Sequence, residues 1–450
     1  MDLETFRMLL APAGRGALDD AVRILADGAD PVAAASALRR SHSPELAAAA
    51  LTQASLRRRA ETKFGADAAV MYFTPHGLEQ ATRPEVAAHR AARISAAGIR
   101  TAGPGPAAIG PAAIGAAGRG SAGVEPTGAG PAGAPSTGMG EAGGVRAAEG
   151  PRVLDVCCGI GGDLLALARA GCAVDALDLD PLTVEIARAN AAALGLSSLV
   201  TVRTADAAAA DPGGYDLLFA DPARRGARGR TFDPMAYSPP WPVVLDLVAR
   251  APAACLKTAP GIPYEFIPEG AEAEWVSYRG EVKEAAIWTG MGIWTGIGTS
   301  GRRATLLPSG ATLTASGAEA DAGPVSRYLY EPDGAAVRAH LVAEVAALVS
   351  GHLVDPRIAY ITGDRLVPTP WAACYEVTDV MPFSLKRLRA ALRERGVGAV
   401  TIKKRGSAVD VERLRKDLRL SGSESVVIVL TRIEDRPFVL LCQPVTSQKG

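Results

Sequence analysis

Val153-Leu154-Asp155-Val156-Cys157-Cys158-Gly159-Ile160-Gly161-Gly162-Asp163, running on into Leu164-Leu165-Ala166-Leu167-Ala168, decides the fold. Its apolar, β-branched opening reads as a buried parallel strand. The glycines permit a tight turn, and from Leu164 apolar residues recur at helical spacing. A strand, a glycine loop and a helix put backbone N–H groups and a small hollow at the carboxyl edge of a sheet, where open α/β sheets hold ligands. A dinucleotide fingerprint, G-x-G-x-x-G, needs a third glycine where Leu164 stands. The loop closes instead on Asp163, in the first helical turn, where a carboxylate suits the helix dipole. That carboxylate is expected to repel an anion and to favour a cation.

Acids recur after the strands that follow. Ala173–Leu177 reads as a second strand with Asp178 at its tip, where acidic residues of nucleotide folds accept ribose hydroxyls. Asp180 is expected to cap the helix that Pro181 opens, Leu182 to Leu194. A third strand, Leu199–Arg203, precedes Asp206, which either caps a turn or meets a nucleotide base. Tyr215–Ala220 is a fourth strand, ending in Asp221-Pro222-Ala223-Arg224-Arg225-Gly226.

The run D-x-C-C-G-x-G-G-D resembles the first motif of class I methyltransferases that use S-adenosylmethionine. Ala187-Arg188-Ala189-Asn190-Ala191 resembles the matching helix of that family. The resemblance implies a doubly wound, Rossmann-like α/β domain. It also implies a cofactor bordered by Asp155, Cys157, Gly159, Gly161, Gly162 and Asp163, with Asp178 on the ribose and Asp206 on the adenine amino group. Asp221-Pro222 resembles the start of the fourth motif, Asp/Asn-Pro-Pro-aromatic, of enzymes that methylate amino groups of bases. By that resemblance Asp221 and Pro222 are the catalytic pair. Ala223 replaces the second proline and Arg224 the aromatic. Arg224 and Arg225 would suit a base or phosphates, since a guanidinium can stack or pair with either. The alternative is a solvated loop. Ser238-Pro239-Pro240-Trp241 matches the same motif in letters, but no strand precedes it. Serine before proline there reads as the start of a helix over Pro242–Val248.

Ala253–Lys257 is expected to be a fifth strand with Lys257 at its tip, an active-site or backbone-contact residue. Glu274–Ser277 and Val282–Trp288 read as a hairpin around Arg279-Gly280. Cys255 lies inside an apolar strand with nothing near it in sequence to lower its pKa, so it reads as core.

At 450 residues the chain is long for one core. Residues 1–97, rich in Ala, Leu and Arg, read as a helical N-terminal domain. The aromatics of Met71-Tyr72-Phe73-Thr74 suggest either a packed turn or a surface that touches substrate. Residues 98–150 are Gly, Ala and Pro with few large apolar side chains. They read as a disordered linker, which cannot bury enough surface to offset ordering entropy. The methyltransferase domain is assigned to 151–323 and a C-terminal α+β domain to 324–445. There, a helix over Ala335–Leu348 and strands over Arg357–Thr362 and Cys374–Val380 precede two basic helices, Leu385–Arg395 and Val411–Leu418. The element order and Val397-Gly398-Ala399-Val400-Thr401-Ile402-Lys403-Lys404-Arg405-Gly406 resemble the THUMP-like domain that bacterial proteins carry behind a class I methyltransferase. True THUMP domains serve RNA-modifying enzymes, so the resemblance implies RNA, with Lys403, Lys404 and Arg405 as contacts.

Lys+Arg and Asp+Glu are equal at 48 each, so nucleic-acid binding must come from local patches. The six cysteines hold no C-x-x-C pair, and the five histidines show no metal spacing; no metal is expected. No leader or membrane-length apolar run appears, so the protein is expected to be cytoplasmic. An RNA base methyltransferase acting on rRNA or tRNA, a small-molecule methyltransferase and a cofactor-binding RNA module without catalysis all stay open.

Overall fold

The computed structural model describes residues 1–96, 150–226, 229–230, 233–290 and 301–445. The linker expected over 98–150 therefore lies outside the described residues, save Gly150. Six helices come first: α1 (Leu3–Leu10), α2 (Pro12–Ala26), α3 (Pro31–Leu38), α4 (Pro44–Phe64), α5 (Pro75–Gln80) and α6 (Pro84–Ala96). Proline opens five of the six, where its missing N–H and fixed φ cost nothing. Asp30, Ser43 and Thr74 accept the free amides at their helix starts.

The central sheet begins with β1 (Arg152–Val156), α7 (Gly162–Arg169), β2 (Ala173–Asp178), α8 (Pro181–Ala193), β3 (Val200–Thr204) and β4 (Leu217–Ala220). It continues through α9 (Trp241–Arg250), β5 (Ala254–Thr258), β6 (Glu272–Tyr278), β7 (Glu281–Thr289), β8 (Arg302–Leu307) and β9 (Ala311–Thr314). The strand order is β9-β8-β6-β7-β5-β4-β1-β2-β3. Strands β1 to β5 run parallel, and β7 is antiparallel to both neighbours. The order reverses at β1, between β2 and β4, which puts the glycine loop at the switch point of a doubly wound sheet. Residues 302–314 contribute two further strands, β8 and β9, that widen the sheet. One expectation needs correction. Helix α9 starts at Trp241, and Ser238 does not cap it. The amide and carbonyl of Ser238 pair instead with those of Ala223, at 3.0 and 2.8 Å.

The C-terminal unit holds β10 (Tyr328–Pro332), α10 (Gly334–Arg338), α11 (Val342–Leu348), β11 (His352–Asp355), β12 (Ile358–Gly363), β13 (Ala372–Pro382), α12 (Leu385–Glu394), β14 (Val397–Lys404), α13 (Val411–Leu418), β15 (Glu424–Ile433) and β16 (Arg436–Pro444). Its seven strands are ordered β11-β12-β10-β13-β16-β15-β14. The single helix expected over Ala335–Leu348 is two, because His340 takes a left-handed φ of 55° between them.

The cores ignore the sequence boundaries. Phe6, Leu9, Met71 and Phe73 share one apolar cluster with Ile160, Leu165 and Ile186 of the catalytic unit. Ala335, Ala339, Leu341 and Val345 pack into a second with Leu256, Trp275 and Ile287. The basic helices α12 and α13 cover one face of the C-terminal sheet through Leu388, Leu392, Leu414 and Leu418.

Candidate active site

The carboxyl edge of β1, β2 and β4 opens into a cavity of about 370 Å³. Three elements wall it: the glycine loop with Cys157, Gly159 and Gly162; Asp178 with the start of α8; and Asp221 to Arg224 after β4. The fourth wall comes from the N-terminal helices, over Thr74 to Thr82. The packed-turn reading holds for Met71, Tyr72 and Phe73, which are buried, and the residues just after them face the cavity.

Side-chain amides fix this wall. Asn190 of α8 accepts the Tyr72 amide at 2.7 Å and donates to the Tyr72 and Ile160 carbonyls at 3.1 and 2.9 Å. Gln53 of α4 treats Phe73 the same way, at 3.0 and 2.6 Å. Each amide satisfies a buried peptide N–H and C=O as a neighbouring strand would. The packing leaves no room for a side chain at position 77, where a Cβ would lie 2.5 Å from Ile160.

On the β2 side, Asp178 Oδ2 accepts the Gly159 amide at 3.0 Å and Oδ1 the Asp180 amide at 3.1 Å. Burial raises its pKa against these two bonds. Each oxygen retains a further lone pair for a ligand. Asp180 caps α8 as expected, accepting from Thr183. Asp155, at the end of β1, is fully buried with both carboxylate oxygens unpartnered. Burial and the neighbouring acids raise its pKa well above the usual range. An orphan carboxylate at such a depth fits a ligand that brings an ammonium group. Cys157 carries a left-handed φ of 67°, a strained conformation for a residue with a Cβ. Gly161 shares that handedness, with φ 96°, and serves as the N-cap of α7.

On the other side Lys257 is the node. Its buried ammonium is hydrogen-bonded to Asp221, lies 2.7 Å from the Thr82 hydroxyl and 3.6 Å from Asp163. Burial would lower its pKa, but Asp221 and Asp163 hold it above the ordinary lysine value. Asp163 is bonded to Thr82 and Arg90 as well, and Arg90 reaches on to Glu284. The expected repulsion of anions by Asp163 thus needs correction: its charge is matched internally, and burial is outweighed by Arg90 and Lys257 so that its pKa falls. Of the remaining acids, Asp178 lines the cavity, whereas Asp155 is fully buried and is not among the lining residues.

Comparison with known proteins agrees with this geometry. A family model described as a methyltransferase domain matches residues 153–223, and one described as THUMP domain-like matches 372–444. A domain of unknown function matches residues 2–60. The chain is 38% identical over 300 residues, 64% of its length and 79% of the relative's, to a protein of Mycobacterium tuberculosis called an uncharacterized S-adenosylmethionine-dependent methyltransferase. This chain belongs to the S-adenosylmethionine-dependent methyltransferases. The ribosomal protein L11 methyltransferase of an Exiguobacterium species is 45% identical over 74 residues, 16% of this chain and 24% of that protein. A candidate methyltransferase of Porphyromonas gingivalis W83, solved by crystallography, superposes with a TM-score of 0.64 at 17% identity, over 90% of this chain and 92% of that one. That likeness is one of fold.

The cofactor of the methyltransferase is S-adenosylmethionine, and the acidic, glycine-walled cavity suits its positive charge. Among the other expected site residues, Pro222 and Arg224 line the cavity, and one terminal nitrogen of Arg224 is buried without a partner. The side chain of Arg225 lies outside the described residues. Asp206 takes the turn-capping alternative: its Oδ1 accepts the Ala208 amide, and it borders a neighbouring hollow with Leu177 and Arg203. Lys403, Lys404 and Arg405 have partners within the C-terminal unit. Lys403 pairs with Glu331 at 2.8 Å, Lys404 donates to the Val409 carbonyl, and Arg405 donates to the Ala359 and Pro332 carbonyls. Sequence reasoning missed Thr82, Arg90 and Glu284. A buried arginine within an alanine-rich helix was the available signal, since arginine goes inside only when paired.

Proposed function

We propose that the methyltransferase acts on a base of RNA, with rRNA or tRNA as its substrate class. The observation that carries this reading is the THUMP-like unit with its two basic helices. Their leucines face the sheet, leaving Lys386, Arg387 and Arg393 on α12 and Arg413, Arg415 and Lys416 on α13 exposed. On a chain of zero net charge this is a local cationic face suited to phosphates.

At the site, Asp178 accepts the ribose hydroxyls and the Gly159 loop lies against the cofactor. When bound, S-adenosylmethionine supplies an electrophilic methyl group. Asp221 accepts a hydrogen bond from the target N–H, directing the nitrogen lone pair at that methyl, and takes the proton once the nitrogen is methylated. Lys257 holds Asp221 in place, while Arg224 contacts the base or its phosphate. All six cysteines are free thiols, which accords with a reducing cytoplasm as the working compartment. Among the described residues no helix is long and apolar enough to cross a membrane, and no cluster of residues could hold a metal.

Mass spectrometry of nucleosides from cells with and without the protein tests the reading. The expected result is the loss of one methylated nucleoside, together with RNA retention that weakens steeply with salt. An unchanged nucleoside profile, with a methylated small molecule in its place, overturns it.

A further inference from the structure

A second cavity, of about 440 Å³, lies where the catalytic and C-terminal units meet. Three aromatic rings are stacked along it. Buried Trp275 of β6 lies against Tyr264, centroids 5.5 Å apart and planes 26° apart, and Tyr264 lies against His340, at 4.4 Å and 18°. Offset parallel rings at such spacing form a continuous π-surface. The assembly is braced by hydrogen bonds. Trp275 Nε1 donates to the Pro260 carbonyl at 3.0 Å, and the Tyr264 hydroxyl donates to the Arg338 carbonyl at 2.6 Å. Arg338 donates to the Pro260 carbonyl, and Arg302 donates to the His340 carbonyl at 3.3 Å.

The stack ends in the open. His340 is exposed, and it is held there in a left-handed backbone conformation. Such strain in a non-glycine residue, at the break between α10 and α11, marks a position fixed by its surroundings. Exposed Arg338 lines the cavity beside Arg405, which is held by the Ala359 and Pro332 carbonyls and lies 3.9 Å from Glu331. Gly261, on its wall, is four residues beyond Lys257, so the two Cα atoms are within about 14 Å of each other.

We propose that the free face of the His340–Tyr264–Trp275 stack is a platform for an unpaired nucleobase of RNA, whose flanking phosphate meets Arg338. The inference rests on the RNA reading of the same protein and adds a site to it. Aromatic stacking accepts any base, so the platform positions a single-stranded segment beside the catalytic cavity and leaves the choice of target base to that cavity. A duplex offers no unstacked base and gains nothing from the ring surface.

Anisotropy titration of the full chain with a labelled short oligoadenylate tests it, with a blunt RNA duplex of equal length alongside. His340→Gly removes the outer ring at a position whose backbone suits glycine, so the fold is expected to survive. Tyr264→Leu, which removes the middle ring and keeps an apolar side chain, is the second variant. Each is expected to weaken single-strand binding about tenfold, the scale of losing one stacking aromatic. Duplex binding and calorimetric affinity for S-adenosylhomocysteine should stay within twofold of wild type, a rough tolerance for independent sites. If wild type binds the single strand and both variants bind it equally well, the platform is disproved while the RNA reading stands. If wild type binds neither RNA, both fall.

Discussion

The catalytic sheet is flanked by two units that both pack on it through apolar clusters, and the N-terminal one adds a seam of buried charge. In that seam Arg90 pairs with Asp163 and Glu284, Arg93 with Glu272 and Glu274, and His89 with Glu274. The C-terminal unit meets it through the alanines, leucine and valines of α10 and α11, with Ser277 to Asp333 as a polar link at 3.0 Å. Apolar contact scales with area and tolerates small shifts, whereas a buried ion pair works only when every partner is in register. The charged seam therefore sits where register matters, against the cofactor cavity. The apolar seam carries the unit read as the substrate-binding arm.

Breaking the charged seam should have the largest effect. Arg90→Met leaves Asp163 and Glu284 buried without their partner, a loss of about 3–5 kcal/mol. Urea unfolding measures it, and a loss below about 1 kcal/mol would mean that solvent reaches the seam. Leu341→Ala in the apolar seam is expected to cost about 2–4 kcal/mol and to leave S-adenosylhomocysteine affinity unchanged. A matching fall in that affinity would join the two seams into one cooperative unit.

Within the cavity the contrast becomes one of ligands. Asp178→Ala removes charge-assisted hydrogen bonds worth roughly 1.5–3 kcal/mol each, so cofactor affinity should fall about ten- to a hundredfold by calorimetry. Asp221→Ala should spare the cofactor and lower turnover far more. If Asp221→Ala loses cofactor as badly while residual turnover stays normal, Asp221 belongs to the cofactor wall.

The smallest effect is in pH. Burial would raise the pKa of Glu274, yet its bonds to His89 and Thr305 and the charge of Arg93 hold it far below 4.5. A depressed carboxylate stabilises the fold above its unfolded pKa, and that contribution is lost as pH falls below it. Stability should be flat from about pH 7 to pH 5, with α6 amides gaining hydrogen exchange first on further acidification. Earlier exchange in α10 and α11 would contradict the comparison.

The sheet was legible in the sequence because β1, β2, β4 and β5 are short, largely apolar runs, and Asp178 and Asp221 mark the carboxyl ends of β2 and β4. The chemistry that joins them was not legible. Lys257 meets Thr82 across 175 positions and Arg90 meets Glu284 across 194, and no local pattern encodes either pairing. The break at His340 carries neither glycine nor proline. The pairing of Ser238 with Ala223 makes a structural neighbour of a segment that imitates the fourth motif only in letters.

The charged seam also sets an order of events on the ribosome. Arg90 and Arg93 emerge long before the acids they pair with, the last being Glu284, 194 residues downstream. At a synthesis rate of about 5–20 residues per second, that gap is roughly 10–40 seconds. During it the helical segment carries two arginines that cannot be buried, so its inner face stays wet and open to other anions. The helical wall of the cofactor pocket is thus fixed late, when it docks onto β7.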